Sequence, residues 1–270
     1  MADTFITDLI TRMRLHLFES TADQWSDAKL TEFIGQAVGD FSRRRPNETS
    51  SDTYFLGGTR MIDVSDLSAY DITKVQYEFG DAGEHKVPRE FVNFTRTGDY
   101  IEIVSSSTPT GDSDVTGTAD GDVASHLQDD TNVQFASDMV NAKVVNTTDS
   151  LETYATAYND TGDLTLNEDI FPDGDEDYTI YERVPARVWY TTKHTYSETV
   201  RSFSAVFEDL ILEGSICYAL IAYAIEATTK NNVGGATVAE KMLMLARDRL
   251  ALYNKELDRV RPLRRTERHG

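Results

Sequence analysis

The sequence predicts an α+β protein in which a four-helix bundle, two helices from each end of the chain, is interrupted by a large antiparallel β insertion of sandwich or barrel-like form. Three observations carry this. Apolar residues recur every three or four positions near both ends, they alternate with polar residues through the middle, and nearly all of the net charge of −20 falls in that middle. At 270 residues the chain is long enough to bury more than one core. The expected divisions are a helix pair over 1–50, an acidic β domain over 51–196, a second helix pair over 197–260 and a basic tail over 261–270.

The first helix is expected after Asp3 and Thr4, with Ile6, Ile10, Met13 and Leu17 as its apolar stripe. Ser26 is the expected N-cap of the second, whose Leu30, Phe33, Ile34, Ala37 and Phe41 share a face before Arg43, Arg44, Arg45 and Pro46 close it. From about Thr53 the period becomes two: Val75, Tyr77 and Phe79 alternate with Gln76 and Glu78, and Ile101 and Ile103 flank Glu102. Thr-Gly-Asp occurs at Thr97, Thr110 and Thr161, and each is expected to be a turn in which glycine takes positive φ.

The third helix, EDLILEGSICYALIAYAIEA from Glu208, is apolar almost all round and opens with carboxylates that suit its N-terminal dipole. Its uninterrupted apolar run, Gly214 to Ile225, has 12 residues. A membrane span needs about 20, so the helix is expected to be covered by protein instead. Leu210, Gly214, Tyr218, Ile221 and Ile225 are its candidate packing residues, within the bundle or against a second copy of the chain. After the Asn-Asn-Val-Gly-Gly loop, Thr237 and Glu240 fit a capping box. Ala239, Leu243, Ala246, Leu250, Tyr253, Leu257 and Val260 then form a four-three seam, with Leu243, Leu250 and Leu257 as its candidate contacts, and Pro262 stops it.

The composition narrows function. There are 28 Asp and 18 Glu against 18 Arg and 8 Lys, and the stretch from Thr97 to Pro185 holds 15 Asp and 5 Glu against Lys143 and Arg183 alone. Such a field opposes duplex nucleic acid, and its bias resembles that of proteins from salt-loving organisms. One cysteine, Cys217, allows neither an internal disulfide nor a thiolate zinc cluster. No secretory leader pattern opens the chain, and HExxH, GxSxG and phosphate-loop motifs are absent from it. No enzymatic activity, cofactor or resident metal is expected; Asp173, Asp175 and Asp177 are weak metal candidates, because their loop lacks the EF-hand order.

The order of parts resembles the head-tail connector, or adaptor, proteins of tailed viruses, and with the acidic bias the resemblance extends to those of a haloarchaeal host. The residues that carry the likeness are DLITRMRL from Asp8 to Leu15, WSDAKL from Trp25 to Leu30 with Ile34, and FEDLILEGSICYAL from Phe207 to Leu220. A second likeness, to small β domains of virion proteins, runs through Phe135, Val144 to Asp149, Leu164 to Leu166, Phe171, Gly174-Asp175 and Tyr178 to Ile180; a β insertion this large departs from the usual connector. The resemblance implies a structural protein of the virion neck, made in the host cytoplasm. It implies a homo-oligomeric ring of about twelve copies that joins the portal to a downstream neck or tail protein while DNA passes through the lumen unbound. It also implies that the segment after the last helix docks on the portal, which gives Arg259, Arg261, Leu263, Arg264, Arg265 and Arg268 that role. An alternative from the residues alone is an extracellular acidic β domain that binds calcium or carbohydrate.

Overall fold

The computed structural model describes residues 5–18, 25–77, 91–105, 107–229 and 236–260, with only the backbone course at 77, 227–229, 236–239 and 242. The chain divides into two compact units, residues 1–48 with 192–270 and residues 49–191. Helices α1 (Phe5–His16), α2 (Asp27–Arg44), α3 (Glu208–Thr229) and α4 (Ala236–Arg259) build the first. The described residues of the second form thirteen strands in three antiparallel sheets, and the α+β class is as the sequence predicts.

In the helical unit, Ser26 caps α2 by accepting from the Lys29 backbone N–H at 3.3 Å, and the helix ends where Pro46 forbids another turn. Leu30, Phe33, Ile34, Ala37, Val38 and Phe41 are all buried along one face. On α1 the innermost residues are Phe5, Leu9 and Met13, while Ile6, Ile10 and Leu17 flank them half-buried; the stripe is rotated from the expected one because α3 and α2 both press on the helix. Asp3 and Thr4, which precede the expected first helix, lie outside the described residues. Glu198, far along the chain, accepts from the Thr7 N–H at 3.3 Å and its hydroxyl at 3.1 Å, placing a carboxylate at the positive end of α1. Helix α4 starts at Ala236, so Thr237 falls within its first turn.

Strands β1 (Asn47–Tyr54), β3 (Asp71–Tyr77), β4 (Phe91–Val92) and β13 (Pro185–Thr192) form a sheet in the order β1-β13-β3-β4. Strands β2 (Met61–Asp63), β5 (Phe94–Thr97) and β6 (Tyr100–Ile103) form one of order β2-β6-β5. The two share a core of Ile62, Ile101 and Ile103 from one and Ile72, Val75, Ala186 and Val188 from the other, a small sandwich. The third sheet joins β7 (Ser113–Thr118), β8 (His126–Gln128), β9 (Lys143–Asn146), β10 (Leu151–Asp160), β11 (Asp163–Leu166) and β12 (Asp177–Tyr181) in the order β7-β12-β9-β10-β11-β8. It covers its own core, with Leu127, Val144, Leu164, Phe171, Tyr178 and Ile180 inside. Its terminal strands do not pair with each other, so the barrel-like closure is corrected to an open sheet.

Two of the three Thr-Gly-Asp sequences are hairpin turns: Gly98, at φ +61°, joins β5 to β6, and Gly162 joins β10 to β11 without the expected positive φ. The third, at Thr110, is not a turn. Gly111 leads into β7, and a Cβ there would lie 2.2 Å from the Glu182 carbonyl oxygen, so the glycine answers to closeness rather than to positive φ. Along β3, Gln76 is buried like Val75, which breaks the expected alternation; Glu78 and Phe79 lie outside the described residues.

Among the described residues, Asp129 is the sharpest polar feature of the acidic unit. Fully buried, it accepts from the backbone of Thr131 (3.1 Å) and Asn132 (2.8 Å), the Asn132 amide (2.8 Å) and the Tyr178 hydroxyl (2.7 Å). Burial pushes its pKa up, but those four donors together hold it below the usual carboxylate value. Asp129→Ala leaves the donors unpaired, and chemical denaturation is expected to show a loss of about 3 kcal/mol. With the folded pKa below 3.8, the contribution of Asp129 is complete above about pH 4 and is lost as the pH falls through the folded value. In the bundle, a Cβ on Gly214 would lie 2.5 Å from the Tyr253 ring, which is buried and donates to the Ala37 carbonyl at 3.2 Å. Gly214→Ala gains helix propensity yet displaces that ring, so thermal unfolding should register a net loss of about 1–2 kcal/mol.

Candidate functional site

The surface of the helical unit follows from how α3 is covered. Ile211, Leu212, Ile216, Cys217 and Ala219 are fully buried, and Gly214 lies against Tyr253. Leu210, Tyr218 and Leu250 pack half-buried against the same core, Leu257 is inside it, and Tyr218 donates a hydrogen bond to the Asp40 carboxylate. Most of the candidate packing residues therefore serve the chain's own bundle, with Ile221 and Leu243 half-buried and Ile225 57% exposed.

The apolar surface that does face solvent lies elsewhere. On α4, Leu245 (49% exposed) and Leu252 (64%) are seven residues apart and so lie on one side of the helix, about 10 Å apart along its axis, with Met244 exposed beside them. The sequence does not single out this pair, because the seam through Leu243, Leu250 and Leu257 has the same seven-residue period and Asp248 and Arg249 interrupt the face between them. Leu15 and Phe18, at the end of α1, are also exposed. Arg259 ends α4 in an ion pair with Glu256, whereas Arg261, Leu263, Arg264, Arg265 and Arg268 lie outside the described residues.

Where α2 ends, a cleft of about 340 Å³ opens among Phe41, Arg45, Glu48, His194, Phe203 and Phe207. His194 Nε2 stands 2.9 Å from the Arg45 carbonyl, an acceptor only, so this nitrogen carries the proton and donates. Nδ1 then accepts from the Ser202 hydroxyl at 2.8 Å. The His194 backbone N–H donates to Ser42 at 3.0 Å, and the Thr195 N–H donates to Ser202 at 3.0 Å. The serine and histidine thus clamp the returning chain onto the end of α2. Arg45 completes the clamp: its guanidinium lies 4.8 Å from the Phe207 ring centre and donates to the Val260 carbonyl at 3.4 Å, a cation at the C-terminus of α4.

In the β unit the three aspartates of the Pro172–Tyr178 loop are not gathered around a common point. Buried Glu176 accepts from the backbone N–H groups of Asp173 and Asp175, both at 3.2 Å, and Asp177 accepts from Thr118 at 2.8 Å. Among the described residues no group of three or more histidine, cysteine or acidic side chains is arranged to hold a metal ion. The loop works as a turn fastened from inside by its own carboxylate.

The formal charges divide sharply between the units. Residues 49–191 carry 20 Asp and 8 Glu against 3 Lys and 5 Arg, a net of −20, which is the net charge of the whole chain. Residues 1–48 and 192–270 carry 8 Asp and 10 Glu against 5 Lys and 13 Arg and are neutral. No known protein-family model matches this chain, and no curated protein matches it in sequence. No described helix is long and apolar enough to cross a membrane.

Burial lowers the pKa of His194, and the nearby Arg45 charge lowers it further, against the pull of the Arg45 carbonyl. The unfolded chain therefore takes up this proton first, near 6.5. The stability that His194 supplies is complete above that value and declines as the pH falls from it toward the folded pKa. His194→Gln keeps a donor and an acceptor but cannot titrate. Thermal melts of this variant between about pH 7 and 5.5 should show a shallower acid loss than those of the unchanged chain; parallel curves would remove His194 as the cause.

Proposed function

We propose that the chain is a ring-forming head-tail adaptor of a tailed virus, a structural protein with no catalytic role that joins the portal to the next component of the neck. The observation that carries this is the combination, in one unit built from both ends of the chain, of zero net charge and exposed leucines, Leu245 and Leu252, on one side of α4 with Asp248 and Arg249 between them. A surface of that kind meets a second copy without an electrostatic penalty, and its exposed leucines gain from burial. Repetition of the contact between unlike faces, with a rotation that closes, makes a ring. The order of helix pair, β insertion and helix pair supports the same reading.

Within this reading the basic segment after Arg259 docks on the portal. Arginines there pair with portal carboxylates, and many weak tails in one ring bind through multivalency. The acidic unit keeps passing DNA from sticking wherever it faces the lumen, since both carry negative charge. The assembled protein belongs to the virion neck, between capsid and tail.

Negative-stain images of the purified chain, alone and with the portal protein of the same virus, test the proposal: rings are expected, and a strict monomer that ignores the portal under all salt conditions would sink it. The paired change Leu245→Glu with Leu252→Glu should weaken self-association at least about tenfold by sedimentation, with stability within about 0.5 kcal/mol of the unchanged chain. Equal association of the two proteins would take the contact away from this face of α4.

A further inference from the structure

The division of charge has a consequence for how association is controlled. We propose that ionic strength gates the assembly of this chain: the neutral helical unit supplies the attraction between copies, and the acidic β unit supplies a repulsion that salt must screen before assembly proceeds. The inference rests on the reading of the chain as a self-assembling protein.

Each copy brings a net charge of −20 to the assembly, all of it in residues 49–191. Bringing copies together crowds these like charges, and the repulsion extends over the Debye length, about 30 Å at 0.01 M salt, 10 Å at 0.1 M and 3 Å at 1 M. At low salt that range is comparable to the size of a domain, so copies repel before short-range apolar contacts form; at molar salt it is no longer than a side chain. The attraction behaves differently. An apolar contact through residues such as Leu245 and Leu252 is not weakened by salt, and a unit of zero net charge adds no monopole repulsion of its own.

The fold offers little internal relief of the repulsion. From Thr97 to Pro185 the only cations are Lys143 and Arg183. Lys143 is paired with Glu152 at 2.5 Å, and Arg183 lies over the Tyr54 ring at 3.8 Å. The neutralising charge must therefore come from solution as mobile cations, whose concentration sets the balance.

The test is sedimentation velocity on the full chain across a salt series from about 0.02 to 1 M, with circular dichroism at each point to confirm that the fold is intact. A second protein carries Asp114→Asn, Asp122→Asn, Asp169→Asn, Asp173→Asn and Asp175→Asn, five exposed side chains, of which Asp173 and Asp175 meet Glu176 only through backbone N–H groups that the changes leave in place. These changes remove a quarter of the unit's net charge and leave the helical unit untouched. Self-association of the unchanged chain is expected to tighten at least about tenfold across the series, and the substituted chain should reach the same degree of association at clearly lower salt. Identical salt midpoints for the two proteins would overturn the gate, since salt would then be acting on the apolar contact alone. Association that weakens with salt would also overturn it. A monomer at every salt concentration in both proteins would remove the assembly reading and the gate with it, whereas salt-independent association would remove the gate and leave that reading standing.

Discussion

One helix sets the terms for half of this molecule. Helix α3 offers an apolar surface on nearly every side, and a helix of that kind is stable only when covered all round. The cover comes from both ends of the chain: α1 and α2 from the N-terminal side and α4 from the C-terminal side. Each fully buried leucine or isoleucine contributes about 1.5–3 kcal/mol, so Ile211, Leu212 and Ile216 alone provide a strong reason for the two ends to meet. Everything between the helix pairs is thereby an insertion. Gly214 marks how closely the helices approach, because the Tyr253 ring occupies the space that any side chain would need.

The two units solve the problem of polar burial in different ways. Cations are plentiful in the helical unit, and its helices are laced together by pairs such as Arg12 with Asp209, Arg14 with Asp27 and Arg44 with Asp258. The β unit has few cations to spend on carboxylates, and the ones it must bury are held by neutral donors instead: Asp129 by amides and a phenol, Glu176 by backbone N–H groups. Buried Asn146 works similarly, donating to the Ile170 carbonyl at 2.6 Å and accepting from the Asp149 N–H at 3.0 Å. Hydrogen bonds of this kind lie inside the fold and are insulated from ionic strength, whereas the exposed carboxylates outside them are not.

What the sequence revealed divides along physical lines. Helix positions, the Ser26 cap, the buried face of α2 and the strand at Ile101 and Ile103 were legible because each depends on local periodicity or a local hydrogen bond. The rotated stripe of α1 was not, since Phe5 and Leu9 are chosen by neighbours distant in sequence. Nor was the cap at Thr7, whose carboxylate comes from Glu198. The His194 clamp joins Ser42, Arg45 and Ser202, and nothing in the spacing of those residues signals a site. For the Thr-Gly-Asp at Thr110, composition suggested a turn where the glycine instead admits the carbonyl of Glu182, just past the end of β12. The Leu245 and Leu252 pair was hidden by a stronger pattern of equal period.

Strands β1 and β13 carry the chain into and out of the β unit, and they are hydrogen-bonded neighbours in one sheet. The helical unit therefore sees the whole span from Thr49 to Thr191 as a bridge with adjoining feet. Before those strands pair, bringing α2 to α3 means closing a long, flexible loop, and non-local contacts of that kind slow folding. Once they pair, the loop left between α2 and α3 shortens from the whole span of the insertion to the residues on either side of the two strands. The insertion is thus fastened at its base by its own first and last strands, and its length adds little to the loop that separates the two helix pairs.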